Sequence, residues 1–254
     1  MYKKSKDINI IFDQFQQWMD NVLRKECGRQ DYRTFHYSLE EFSGFVPYFL
    51  GQDIGVGVGS LPTEKGGDVT MPYVPFPIQQ IRQEIEAFVE VLLSQNVRSV
   101  LEIGLGQFGG THMLFSQFAD SVTTIDIDIS IIEKFLKNCS DRKFTELTQG
   151  NRIIHGSSHV VTRDNLPHEK FDALFIDGDH RYDAVCDDWN RFSPLVKSKG
   201  VIGFHDTRPW PGDEGAARFV NERIRPQFNV RDIWFPEAHA AGISYYIVND
   251  LSGE

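Results

Sequence analysis

Apolar residues follow a helical period in the first part of the chain and a different pattern after residue 97. Two stretches, within residues 8–23 and 78–92, keep apolar residues on one face of a helix. Their members are Ile8, Ile11, Phe12, Phe15, Met19, Val22 and Leu23, then Ile78, Ile81, Ile85, Phe88, Val89 and Leu92. Between them the chain is rich in glycine and proline. The pattern predicts that residues 1–75 form a helical and loop extension, which caps the fold or contacts another subunit.

After residue 97 the chain alternates between short, almost continuous apolar runs and helical stretches. The six apolar runs are residues 97–104, 121–127, 151–156, 171–177, 201–206 and 243–248. A helix with its apolar stripe between Tyr182 and Leu195 is expected before the fifth run, ending at Gly200. Buried strands joined by helices are typical of a parallel sheet covered on both faces. We therefore predict an α/β fold, Rossmann-like and doubly wound, over residues 76–254.

Composition and charge narrow the class of partner. The 254 residues carry a formal net charge of −10, and nucleic acids and anionic membranes repel acidic surfaces. No apolar run approaches the roughly 18 residues that a membrane span needs. The three cysteines, Cys27, Cys139 and Cys186, are scattered, which fits a reducing compartment. We expect a cytoplasmic protein without a signal peptide, with neither nucleic acid nor membrane as its main partner.

A glycine-rich loop follows the first apolar run. Gly104, Gly106 and Gly109 satisfy the pattern G-x-G-x-x-G directly after a predicted strand, and such loops let ligand atoms approach the backbone. Glycine-rich turns also occur simply to close strand–helix corners. Asp126 ends the second apolar run 22 residues after Gly104, where a carboxylate can accept hydrogen bonds from ribose hydroxyls. Together these features predict a nucleoside-containing cofactor across the first two strand ends.

Two cofactor classes are compatible with the loop. A dinucleotide would place its pyrophosphate at the N-terminus of the next helix, as in an NAD-type oxidoreductase. Glu102, however, stands just before the loop in the pattern L-E-I-G-x-G. A carboxylate is a poor neighbour for pyrophosphate, whereas it suits the sulfonium and ammonium groups of S-adenosylmethionine. The acidic residue therefore favours S-adenosylmethionine.

Three segments carry a resemblance to a known family: VLEIGLGQFGG, TTIDID, and FIDGDHRYDAVCDDW followed by GVIGFHDT. They resemble the class I S-adenosylmethionine-dependent methyltransferases, in the branch of the cephalosporin-hydroxylase-like proteins and the macrocin and mycinamicin sugar O-methyltransferases. The resemblance covers roughly residues 78–250. It implies a seven-stranded sheet whose last strand is antiparallel. It also implies that Glu102, Gly104, Gly106, Asp126 and Ser157 contact the cofactor.

The resemblance also implies where the chemistry takes place. Related sugar O-methyltransferases hold a magnesium ion with acidic residues at two strand ends, which correspond here to Asp177 and Asp206. A histidine that matches His180 acts as their general base. This chain departs from that pattern at His205, where the relatives carry an acidic residue. Because imidazole suits manganese, iron or zinc better than magnesium, the ion differs, His205 is not a ligand, or no metal binds.

The sequence thus predicts an S-adenosylmethionine-dependent O-methyltransferase acting on a small-molecule hydroxyl. Its predicted catalytic residues are His180 and Asp177, its candidate metal ligands are Asp177, His205 and Asp206, and its cation is magnesium or manganese. A homo-oligomer is compatible with this branch. The alternatives are an NAD-type oxidoreductase, or a non-catalytic or hydroxylase-like cofactor-binding relative. The D-D-W segment at 187–189 is interpreted as a solvated acidic face with one buried tryptophan.

Overall fold

The computed structural model describes part of the chain, and the structural statements below concern that part. The described residues are 4–18, 31–37, 67–73, 80, 82–106, 109–129, 150–208, 215–234 and 241–248. Most of the predicted N-terminal extension lies outside them, as do Cys27 and Cys139. The boundary predicted near residue 75 therefore stays a prediction.

A seven-stranded sheet forms the centre of the fold. Two further strands, β1 (Asp31–Tyr37) and β2 (Gly67–Tyr73), pair with each other as a separate antiparallel ribbon. The strands of the central sheet are β3 (Ser99–Ile103), β4 (Ser121–Asp126), β5 (Arg152–His155), β6 (Phe171–Ile176), β7 (Val196–Phe204), β8 (Arg231–Ile233) and β9 (Ile243–Ile247). Their order across the sheet is β5-β4-β3-β6-β7-β9-β8. The sheet contains all six runs predicted from the sequence and one strand, β8, that was not predicted.

Strand direction follows the expected doubly wound pattern. The pairs from β5 through to β7 are all parallel, whereas β9 pairs antiparallel with both β7 and β8. The last strand is therefore the antiparallel one, as the resemblance implied. From β3 the chain builds outward to β4 and β5, then returns to place β6 on the other side of β3. In open α/β sheets, ligands bind at such a reversal, beyond the carboxyl ends of the strands.

Helices cover both faces of the sheet. They are α1 (Ile8–Trp18), α2 (Arg82–Ser94), α3 (Gly110–Phe115), α4 (Tyr182–Phe192) and α5 (Gly215–Phe219). The helix predicted to reach Gly200 instead ends at Phe192 and continues as a short 3₁₀ turn over Ser193–Leu195. Residues 196–200 are the first part of β7 rather than a helix end. None of the helices among the described residues is long and apolar enough to cross a membrane.

Two buried clusters join the helices to the sheet. On one face, α1 and α2 contribute Phe15 and Phe88, which pack with Phe175 of the sheet. On the other face, Val185 of α4 and Phe219 of α5 belong to one cluster with neighbouring strand residues. Because α1 shares its cluster with the sheet, the first described helix packs directly on this domain. Burial of apolar surface on both faces stabilises the sheet and fixes the positions of its strand ends.

Candidate active site

A cavity of about 680 Å³ lies at the carboxyl ends of five neighbouring strands, β3 to β7. The segment after each strand contributes to its wall. These contributions are Gly104 and Gly106 after β3, Asp126 and Ile127 at the end of β4, Ser157 to His159 after β5, Asp177 to Arg181 after β6, and His205 with Asp206 after β7. The volume is typical of a small-molecule site. The cavity brings together every site residue predicted from the sequence except Glu102.

The glycine loop is shaped by its contact with the end of β6. Gly104 has a φ of +94°, and a Cβ at this position would lie 1.9 Å from the carbonyl oxygen of Asp177. The amide of Asp177 in turn donates to the carbonyl of Ile103 at 2.8 Å. Only glycine combines this conformation with so close an approach. The loop therefore leaves bare backbone along the cavity wall, which a ligand can approach.

Asp126 connects the loop to the end of β4. Its Oδ2 accepts a hydrogen bond from the amide of Leu105 at 2.6 Å, and its Oδ1 accepts one from the amide of Asp128 at 2.8 Å. Each carboxylate oxygen has a second lone pair, so both can still accept from a ligand. The residue thus holds the loop in place and also faces the cavity, as its predicted contact with a ribose requires.

Glu102 lies beneath the loop rather than on the cavity wall. Its side chain is fully buried, and its Oε2 accepts a hydrogen bond from Thr124 at 2.5 Å. The same hydroxyl is 2.7 Å from Nδ1 of His112, another buried residue. Burial raises the pKa of Glu102 to about 8, against hydrogen bonds from Thr111 and Thr124 that lower it. At neutral pH this carboxyl is therefore protonated, whereas the sequence argument assumed a carboxylate.

His205 lies between two carboxylates at the ends of β6 and β7. Its Nδ1 is 2.9 Å from Oδ1 of Asp177 and 3.0 Å from Oδ2 of Asp206. Burial lowers the pKa of His205, but the charges and hydrogen bonds of the two aspartates outweigh it and raise that pKa well above its ordinary value. His205 is therefore an imidazolium that neutralises one of the two negative charges. Its Nδ1 contacts both carboxylates, and His205 is not part of the candidate metal group found among the described residues.

His180 approaches the same carboxylate from the cavity side. Its Nε2 is 3.0 Å from Oδ2 of Asp206, and its side chain is 38% exposed. Asp177, His180 and Asp206 each present one ligand atom within 4.8 Å of the others. Within the part of the chain that the structure describes, the candidate metal group is thus two carboxylates with His180. The sequence had placed His205 in that group and His180 outside it.

Two further residues at the site were missed by the sequence analysis. The amide of Gln80 donates to Oδ2 of Asp177. Gln80 precedes α2 and is distant from every motif, so no sequence signal indicated it. Asp188 of α4 lines the cavity and is only 2% exposed, which corrects the interpretation of D-D-W as a solvated face. Its place on the apolar side of α4, three residues after Val185, was the available signal.

Comparisons with known proteins address the same part of the chain. Residues 101–207 match the model of a family described as a methyltransferase domain. This segment includes the glycine loop and the ends of strands β3 to β7. A comparison with curated proteins found no match.

Three solved bacterial proteins illustrate the similarity of the fold. A protein assigned as a caffeoyl-CoA O-methyltransferase from Staphylococcus aureus is 19% identical, with a TM-score of 0.53 over 67% of this chain and 85% of its own. The O-methyltransferase TomG from Streptomyces achromogenes, involved in tomaymycin synthesis and solved with S-adenosylmethionine, is 14% identical, with a TM-score of 0.52 over 70% and 84%. A protein assigned as an rRNA methylase from Clostridium thermocellum is 13% identical, with a TM-score of 0.51 over 66% and 100%. At these identities the similarity shows the fold alone.

Proposed function

Because residues 101–207 match a methyltransferase-domain family and the cavity carries the cofactor motifs, we propose that the protein is a class I S-adenosylmethionine-dependent methyltransferase that methylates a hydroxyl group of a small molecule, with His180 as general base. The family match favours an enzyme that transfers methyl groups over an NAD-type oxidoreductase and over a non-catalytic binding module. The methyl donor, the hydroxyl acceptor, the base and any metal are all parts of the proposal.

One observation carries the proposal: the cofactor motifs and the candidate base line the same cavity. Gly104, Gly106 and Asp126 would hold the nucleoside part of the donor, since bare backbone and a carboxylate with spare lone pairs fit a ribose. When bound, S-adenosylmethionine supplies an electrophilic methyl group on a sulfonium centre. The acceptor then binds at the opposite end of the cavity, beside His180.

In the proposed reaction, His180 removes the proton of the acceptor hydroxyl. Its Nε2 is held by Asp206, which orients the ring and stabilises the imidazolium formed by proton transfer. Burial raises the pKa of Asp206, but the charge and the hydrogen bond of His205 lower it by more. The pKa of Asp206 is therefore below its ordinary value, and its carboxyl stays ionised. Alignment of an activated oxygen with the methyl group can contribute several kcal/mol to lowering the barrier, roughly 7 at the low end of the usual range.

The charges at the site favour a cationic donor. Asp177 and Asp206 carry two negative charges and His205 offsets one of them, which leaves one net negative charge beside the cavity. A positive sulfonium centre is attracted to such a site, because Coulomb interactions are stronger in a partly buried environment than in water. For the acceptor, the net charge of −10 favours a small molecule over a nucleic acid.

A divalent cation is a second candidate for the same groups. Asp177, His180 and Asp206 form a donor set of two oxygens and one imidazole nitrogen, which suits manganese better than magnesium. Such an ion would lower the pKa of a coordinated hydroxyl. A neutral imidazole has only one nitrogen with a lone pair for a metal ion or a proton, so His180 acts as a base or as a ligand and not as both at once.

Cofactor binding tests the proposal first. Thermal unfolding is measured with S-adenosylmethionine, S-adenosylhomocysteine or NAD at about 100 times the expected dissociation constant, where a true ligand adds roughly 2.7 kcal/mol of stability. We expect a rise in melting temperature with the two adenosyl compounds and none with NAD. Stabilisation by NAD alone would overturn the proposal.

The role of the base is tested by substitution. We expect His180→Ala to lower the rate of S-adenosylhomocysteine formation about 10²- to 10⁴-fold with a hydroxyl acceptor found by screening, while S-adenosylhomocysteine binding stays near normal. His168→Ala is the matched control, since His168 contacts Ser121 at the start of β4, away from the cavity. Equal turnover of both variants would remove His180 from the mechanism.

A further inference from the structure

A second cavity, of about 170 Å³, lies at the amino ends of the parallel strands, opposite the candidate active site. Three segments of the chain line it: the residues before α1, the connection from α2 to β3, and the turn before β4. We name it the basal pocket, and among the described residues its polar lining consists of Lys4, Ser5, Lys6, Asn96, Arg98 and Asp120. Because β3 is five residues long, or roughly 16 Å at about 3.3 Å per residue, the basal pocket is separate from the active-site cavity.

Positive charge in the basal pocket exceeds the negative charge of its own lining. Lys4, Lys6 and Arg98 provide three cations, and Asp120 provides one carboxylate. Arg98 pairs with that carboxylate, since its Nε is 2.5 Å from Oδ2 of Asp120. The charges of the two lysines are therefore left without a carboxylate among the described residues of the lining. This excess is local, because the whole chain has a formal net charge of −10.

The two lysines are held by neutral oxygens instead. Nζ of Lys4 donates to the carbonyl of Ala119, and Nζ of Lys6 donates to the side-chain oxygen of Asn96. An ammonium group has three N–H donors, so each lysine keeps donors for a ligand. Desolvation lowers the pKa of Lys4 by more than the charge of Asp120 raises it. An anion that enters the pocket would supply the missing negative charge to both lysines.

A phosphate group matches these donors and the available space. It carries about 1.5 to 2 negative charges at pH 7 and has three strong acceptor oxygens. Two uncompensated lysines can therefore neutralise it through charge-assisted hydrogen bonds. The volume of about 170 Å³ is below the roughly 300–1,000 Å³ that drug-sized ligands occupy, so a small ligand is indicated. Leu93, Val97 and Phe118 complete the lining and offer apolar contacts to an organic group attached to the phosphate.

We propose that the basal pocket binds the phosphate group of a small molecule through Lys4, Lys6 and Arg98. The site is additional to the methyl-transfer cavity and does not depend on the activity proposed for it. The segment before α1 is already attached to the sheet side of the pocket, since the amide of Ser5 donates to the carbonyl of Gln117 at 3.1 Å. A bound phosphate would strengthen this attachment, because it bridges the same segment to the start of β3.

The test is isothermal titration calorimetry with inorganic phosphate and with phenyl phosphate as probes. We expect saturable binding of both to the wild-type protein at millimolar concentration or below. Lys4→Gln and Lys6→Gln should each weaken binding about tenfold, since each removes a charge-assisted hydrogen bond. The matched control is Lys170→Gln. Its ammonium also donates to a neutral carbonyl, that of Pro194, but it lies outside the lining of the basal pocket.

The variants separate a built site from a general effect of charge. Equal weakening by Lys170→Gln, or unchanged binding to both pocket variants, would overturn the proposal, as would failure of the wild-type protein to bind either probe. Melting temperatures without ligand verify that the variants fold. Should Lys4→Gln not fold, Lys6→Gln decides, because Lys6 is an exposed residue. Tighter binding of phenyl phosphate would support a phosphate ester as the ligand, and equal affinities would support the free phosphate ion.

A repeat of the titration with S-adenosylhomocysteine locates the bound phosphate. At opposite ends of the strands the two ligands should bind independently, so the dissociation constant of phosphate should not change. Displacement of phosphate by S-adenosylhomocysteine would place it in the active-site cavity and would overturn the proposal. If S-adenosylhomocysteine does not bind at all, the proposed function fails, whereas the lysine variants still decide whether the basal pocket binds phosphate.

Discussion

Replacement of Glu102 by glutamine tests the electrostatics beneath the glycine loop. Glu102 is fully buried, and burial raises the pKa of its carboxyl to about 8 in the folded protein, against an ordinary value of 4.5. Glutamine has nearly the same shape and does not titrate. The Glu102→Gln variant therefore removes the proton linkage of this one group while its volume in the core is kept.

The sign and size follow from the two pKa values. Below pH 4.5 the carboxyl is protonated in both the folded and the unfolded chain, so its contribution to stability is fully present. Between pH 4.5 and 8 the unfolded chain releases the proton and the folded chain keeps it, so stability is lost as pH rises. A tenfold difference in proton affinity corresponds to about 1.4 kcal/mol. The shift of the Glu102 pKa from 4.5 to about 8 therefore lowers the free energy of unfolding by a total on the order of 5 kcal/mol between these two pH values.

The assay is urea unfolding of both proteins at several values from pH 4.5 to 9. The free energy of unfolding of Glu102→Gln minus that of the wild type should rise by several kcal/mol and level off above pH 8. Asp172→Asn serves as a control, because the pKa of Asp172 is shifted in the opposite direction from that of Glu102. Burial raises the pKa of Asp172, but Lys197 and neighbouring donors outweigh it and lower that pKa, so this variant's difference should stay constant over the range. A flat curve for Glu102→Gln would refute the reasoning.

Three further expectations concern the loop and the site. Gly104→Ala should unfold or severely destabilise the protein in thermal melts, because its Cβ would meet the Asp177 carbonyl at 1.9 Å; Gly156→Ala, whose nearest contact is at 3.8 Å, should be tolerated. Gln80→Met removes the amide that orients Asp177 and should lower turnover about tenfold with S-adenosylhomocysteine binding unchanged; equal turnover would exclude this role. If a metal takes part, chelation should abolish turnover and manganese should restore it more fully than magnesium, whereas full activity after chelation would eliminate the ion.

The fold could be predicted largely because each parallel strand leaves a pattern within its own short stretch of sequence. Each parallel strand is buried on both faces and therefore appears as an almost continuous apolar run, independent of its neighbours. The two errors arose where local patterns are ambiguous. Strand β8 has only three residues, Arg231–Ile233, and two of them are exposed. The end of α4 was placed too late because Gly200 is also a plausible helix stop, although it lies within β7, where a Cβ would be 2.7 Å from the carbonyl of Asp172.

The site was predicted less completely because its contacts join residues distant in sequence. The motifs indicated Asp177, His180 and Asp206, since Asp177 and Asp206 end apolar runs and His180 follows one of these runs closely. Spacing could not show that His205 turns its Nδ1 toward both aspartates, because that depends on the lateral order of β6 and β7. Nor could it show that Gln80, 97 positions before its partner, reaches Asp177.

The position of Glu102 changes the physical explanation of cofactor preference. The sequence argument assigned the attraction for a cationic donor to a carboxylate before the loop, but the structure gives that group a raised pKa and a place off the cavity wall. The negative charge that faces the cavity comes instead from Asp126 after β4 and from the Asp177–His205–Asp206 cluster. The two explanations separate in one measurement: if Glu102 attracts the sulfonium, Glu102→Gln loses S-adenosylmethionine affinity at pH 7. If the strand-end aspartates do so, Asp177→Asn loses affinity and Glu102→Gln retains it.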